Sequence, residues 1–78
     1  MSKDSGTAQL VRALRGLLGL TQEKMAGRLG VTFPTINRWE NGRAKPSPLA
    51  LRQIDDLLAE LGEDGRNLRV KYFPKEGI

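Results

Sequence analysis

The chain contains no cysteine and no histidine among its 78 residues. Those two absences exclude disulfides, thiolate zinc sites, imidazole ligands and every nucleophilic arrangement that relies on Cys or His. Aromatic residues are scarce: one Trp, one Tyr and two Phe. No apolar run approaches the length of a membrane span, and the opening MSKDSGTAQ lacks the hydrophobic region of a signal peptide. A cytoplasmic protein without a membrane partner is therefore expected, either whole or cut from a larger one. A chain this short buries a modest fraction of its surface, which argues against a large catalytic cleft. Asp55 and Asp56 form no catalytic or metal-binding pair, because adjacent helical residues diverge in direction. The sequence implies no enzyme and no cofactor.

What is present is charge, and it is segregated. Residues 1–52 carry nine Lys/Arg against three Asp/Glu, residues 53–65 carry five acids and no base, and residues 66–78 carry four bases and one acid. The net charge of +4 thus hides a basic two-thirds followed by an acidic stretch. A protein with one face toward a polyanion needs this distribution. A membrane surface also attracts bases, but no amphipathic Lys/Arg helix with a Trp/Phe face is visible.

Apolar periodicity predicts four helices. AQLVRALRGLL (8–18) sets Leu10, Val11, Leu14, Leu17 and Leu18 on one face, with Thr7 as a cap and Gly19 as a stop. Thr21 caps TQEKMAGRL, whose Met25, Ala26 and Leu29 face inward before Gly30 ends the helix. Thr32 caps the third helix, placing Phe33 and Pro34 in its first turn. A missing N–H there removes no intrahelical bond. Asn41-Gly42 ends this helix, residues 43–48 form a loop, and Ser47-Pro48 start a fourth helix with Leu51, Ile54, Leu57, Leu58 and Leu61 inward. LRVKYF (68–73) alternates with period two and predicts a strand. That strand either crosses the helices as an extended tail, pairs with its copy in a dimer, or begins something truncated.

Two short helices joined by a glycine-bearing turn have helix-turn-helix spacing. Close crossing requires a small residue in the first helix, supplied by Ala26, and a residue tolerant of left-handed backbone in the turn, supplied by Gly30. At 100° per residue, Ile36, Trp39 and Glu40 share the inner side of the third helix. Phe33, Pro34, Thr35, Asn37 and Arg38 make up the outward set.

GLTQEKMAGRLGVTFPTINRWENG (19–42) resembles the phage-repressor and Cro-like (XRE-type) helix-turn-helix family, and the resemblance extends over about residues 8–61. It implies an all-α, lambda-repressor-like bundle of four to five short helices with an extended C-terminal tail. The division expected is a flexible N-terminus (1–7), the helix-turn-helix domain (8–62), and a tail (63–78) acting as a strand or dimerisation segment. The implied function is binding of double-stranded operator DNA, commonly as a homodimer on a palindromic site.

Carried over by position, Thr21 and Gln22 match the start of the first motif helix, where a phosphate is contacted. Thr32 caps the reading helix; Phe33, Pro34 and Arg38 match positions that read base edges; Thr35 and Asn37 match neighbours that touch bases or phosphates. Asn41, Arg43 and Lys45 match the loop that grips the backbone. Arg15 and Glu40 match an internal ion pair and are set aside as structural. Competing readings stand beside these: Trp39 as core, Arg43 and Lys45 as solvated charges, Gln22 as a plain first-turn polar residue, Phe33 as cover for the core edge. An antitoxin-type autoregulator whose C-terminal tail binds a protein partner is the alternative function.

Overall fold

The structure is a computed structural model that describes residues 6–73. Five helices follow one another: α1 (Gly6–Leu18), α2 (Gln22–Leu29), α3 (Phe33–Glu40), α4 (Pro48–Glu60) and α5 (Gly62–Tyr72). The fold is all-α, and no helix among the described residues is long and apolar enough to cross a membrane.

Local chemistry accounts for the boundaries. The hydroxyls of Thr21, Thr32 and Ser47 accept from the backbone N–H groups of Lys24, Thr35 and Ala50, satisfying one orphan donor at the start of α2, α3 and α4. Pro34 and Pro48 lie in the first turn of their helices, where their missing N–H costs nothing. Gly30 closes α2 at φ +72°, a left-handed conformation that lets the chain reverse in the two residues before α3 begins.

Leu10, Val11, Leu14, Met25, Ile36, Ile54 and Leu58 are fully buried and draw the helices together, each such side chain contributing about 1.5–3 kcal/mol by leaving water. Ala26, Leu29, Trp39, Ala50, Leu51 and Leu57 complete this core. α1 packs on both α3 and α5, α2 on α3, and α4 on α5. Trp39 is core, as its place on the inner face of α3 implies.

Three expectations are corrected. Residues 68–73 do not form a strand: α5 runs through them as a helix to Tyr72, because Leu68 and Tyr72, four residues apart, both pack against the core cluster. Thr7 does not cap α1, which begins at Gly6 and buries Thr7 within its first turn. Leu17 stands exposed at the edge of the apolar face of α1, while the neighbouring Leu18 packs against the core. Of the N-terminal segment expected to be flexible (1–7), residues 6 and 7 belong to α1, and residues 1–5, like the end of the tail at 74–78, lie outside the described residues.

Candidate functional site

The outer face of α3 and the ends of the elements around it form the site. Ile36, Trp39 and Glu40 point inward, which turns Pro34, Asn37 and Arg38 outward with Asn41 one turn beyond. Pro34, Asn37, Arg38 and Asn41 are exposed and Thr35 is half-buried. Phe33 is 45% exposed and lies outside the core cluster, so it presents a large apolar surface to solvent at the entrance of the helix.

The two caps are committed to the backbone. Thr21 Oγ1 accepts from Lys24 N at 3.1 Å. Thr32 Oγ1 accepts from Thr35 N at 3.4 Å and shares a 2.8 Å hydrogen bond with the Thr35 hydroxyl. These contacts hold the first turns of α2 and α3 in place.

Behind this surface, an ion pair joins α1 to the last residue of α3. Arg15 Nε donates to Glu40 Oε2 at 2.7 Å and Arg15 Nη2 to Glu40 Oε1 at 3.1 Å. The Glu40 side chain is only 5% exposed. Its hydrogen bond raises the Arg15 pKa above the ordinary guanidinium value, against the opposing effect of partial desolvation, so Arg15 stays charged wherever the protein is folded. Arg15 Nη1 also donates to the Leu20 carbonyl at 3.1 Å, and Arg12 donates to the Glu40 carbonyl, tying α1 to the α1–α2 turn and to the end of α3.

Gln22, half-buried, donates from Nε2 to Glu40 Oε1 at 3.1 Å and accepts at Oε1 from Asn37 Nδ2 at 3.4 Å. Asn41 Nδ2 donates to the Asn37 carbonyl at 2.8 Å and to Asn37 Oδ1 at 3.1 Å. Of the residues selected from the sequence, the structure therefore links Gln22, Asn37 and Asn41 directly and ties them to Glu40. Arg43 and Lys45 stand apart from that network in the exposed loop after α3, whose start is held by Arg43 N donating to the Arg38 carbonyl at 2.9 Å.

Arg38, Arg43 and Lys45 are exposed and make no ion pair among the described residues. By contrast, Arg28 lies 3.6 Å from Glu60, and Arg69 donates from Nε to Asp55 at 2.7 Å. Those two acidic partners lie on α4, and Glu40 of α3 is taken up by Arg15, so among the described residues Arg38, Arg43 and Lys45 are left without an acid. Among the described residues no cluster of His, Cys, Asp or Glu could hold a metal ion.

The sequence reading missed Arg12. Its signal is the three-residue spacing from Arg15, which puts both guanidinium groups on the same side of α1.

The family model described as helix-turn-helix matches residues 11–61. An uncharacterized HTH-type transcriptional regulator of Methanothermobacter thermautotrophicus is 49% identical over 65 residues, covering 72% of this chain and 93% of the relative. A second protein so described, from Archaeoglobus fulgidus, is 34% identical over 73 residues, covering 92% of this chain and 31% of the relative. A third, from Sinorhizobium medicae, is 32% identical over 63 residues, covering 81% of this chain and 40% of the relative. The chain thus matches most of the first relative's length and well under half of the other two. No solved structure matches it.

Proposed function

Because the chain belongs to the helix-turn-helix family of transcriptional regulators, we propose that it is a sequence-specific DNA-binding regulator of the phage-repressor and Cro-like type. It acts in the cytoplasm as a repressor, without catalytic activity or cofactor. One observation carries this reading: a short exposed helix face bearing Phe33, Pro34, Asn37 and Arg38 is followed at once by Arg43 and Lys45, with no acid paired to its bases among the described residues. Eight residues make α3 about 12 Å long, close to the width of a major groove.

In this reading α3 enters the major groove. Arg38 reads guanine by paired hydrogen bonds, and Phe33 with Pro34 packs on thymine methyl groups. Arg43 and Lys45 hold phosphates, Gln22 at the start of α2 and Asn41 at the end of α3 approach the backbone, and Thr21, Thr32 and Thr35 keep the two first turns in register. Two copies on a palindromic duplex, one helical turn apart, supply the contact area that one module lacks. The alternative, a C-terminal tail that binds a protein partner, gains no specific support, since Leu68 and Tyr72 are turned into the bundle.

Selection of bound duplexes from a random pool tests the proposal. The expected result is a single palindromic sequence, bound with an affinity that falls steeply as salt rises. Equal binding of random and selected duplexes would overturn it.

A further inference from the structure

The hydrogen bonds behind the α3 face run in one direction. Glu40, fixed by two bonds from Arg15, carries a carboxylate that only accepts. Gln22 must therefore turn its Nε2 inward, which leaves its Oε1 facing outward to accept from Asn37 Nδ2. With its nitrogen engaged there, Asn37 presents Oδ1 to Asn41 Nδ2. An amide can be turned over with almost no change of shape, so nothing in packing alone would choose between these orientations. Here one buried charge chooses for Gln22 and, through it, for Asn37, while Asn41 is also held by the Asn37 carbonyl, to which it donates at 2.8 Å.

We propose that the Arg15–Glu40 pair is a positioning device for base readout: it fixes which way round Asn37 presents its amide, and the base that this orientation recognises is adenine. Asn37 keeps one Nδ2 hydrogen and one Oδ1 lone pair beyond those used by Gln22 and Asn41. A donor and an acceptor side by side match adenine N7 and N6, whereas guanine offers two acceptors at its N7 and O6. The 3.4 Å separation between Gln22 and Asn37 makes this the weakest link in the chain, and so the one most affected when the anchor is removed. The inference rests on the DNA-binding reading above, and its first test needs no DNA.

In the free 78-residue chain, side-chain amide relaxation by NMR is expected to find Gln22 and Asn37 ordered. The paired replacement Arg15→Met with Glu40→Leu removes both charges together, and both amides are then expected to average over orientations in a folded protein. On DNA, sequences selected by the wild-type protein are expected to carry an adenine whose preference Asn37→Ala abolishes. The paired replacement lowers that preference roughly fivefold or more, while the preference lost in Arg38→Ala changes by less than about twofold. Gln22→Met breaks the chain while keeping both Arg15 bonds to Glu40 and gives the same loss at the same base, which decides the matter should the paired variant fail to fold.

Equally ordered amides with and without the ion pair overturn the proposal. So does an adenine preference that is unchanged, or that falls uniformly with all others. Ordered amides in a wild-type protein that selects no sequence overturn the DNA-reading function and, with it, this use of the network.

Discussion

Gly65 of α5 lies against the backbone of Leu58 in α4 so closely that a Cβ on it would stand 1.8 Å from the Leu58 carbonyl oxygen. No side chain fits there, because the obstacle is backbone and cannot rotate aside. Gly65→Ala is expected to force α5 off α4 and to destabilise the protein by about 3 kcal/mol, the upper end of ordinary overpacking. A lowered urea midpoint checks it, and an unchanged midpoint would show that the two helices can slide without loss.

Gly27 and Gly30 are three residues apart and call for opposite outcomes. Gly27 is exposed inside α2 with nothing within 4 Å of an added Cβ, so Gly27→Ala is expected to stabilise by about 0.5–1 kcal/mol through reduced chain entropy. Gly30 has equal space but φ +72°, so Gly30→Ala is expected to cost about 1 kcal/mol or more from backbone strain alone. Thermal melts of the two variants should move in opposite directions.

Removing one member of the Arg15–Glu40 pair differs from removing both. Glu40→Ala strands a guanidinium whose side chain is 28% exposed and so retains some water, placing the loss near about 3 kcal/mol, the low end for broken buried pairs. The paired apolar replacement is expected to be close to neutral. Denaturant titration of the single and paired variants separates these cases, and equal losses in both would contradict the argument.

Arg38 and Lys45 carry the same charge but are assigned different work. Arg38→Ala is expected to relax discrimination at one base position by about 1–3 kcal/mol. Lys45→Ala is expected to weaken selected and random duplexes alike and to lower the salt slope by about one. Titrations of both variants at several salt concentrations read the two effects independently.

The starts of α2, α3 and α4 were legible in the sequence because capping is local chemistry: Thr21, Thr32 and Ser47 sit where an orphan N–H needs an oxygen. The inward set of α3 was equally legible, since Ile36, Trp39 and Glu40 follow from helical geometry alone. α5 was not. Within LRVKYF the alternation of apolar and basic residues matches a strand, and the helical signal spans a wider window: Gly65, Leu68 and Tyr72 at i, i+3 and i+7, acids at Glu63 and Asp64, bases at Arg69 and Lys71. The requirement for Gly65 comes from the α4 backbone, which no local pattern reveals. The chain of amides from Glu40 to Asn41 was hidden for the same reason, as it joins α2 to α3 by contacts that exist only after the helices dock.

The packing of α1 against α5 brings the two ends of the described chain together, with the Gly6 backbone beside the Tyr72 carbonyl. Of the five helices, α1 is made before all the others and its partner α5 after them. The seam between them cannot close until residue 72 has left the ribosome, so α3, which leans on α1 through Arg12 and Arg15, reaches its final rigidity only after the rest of the bundle has been made.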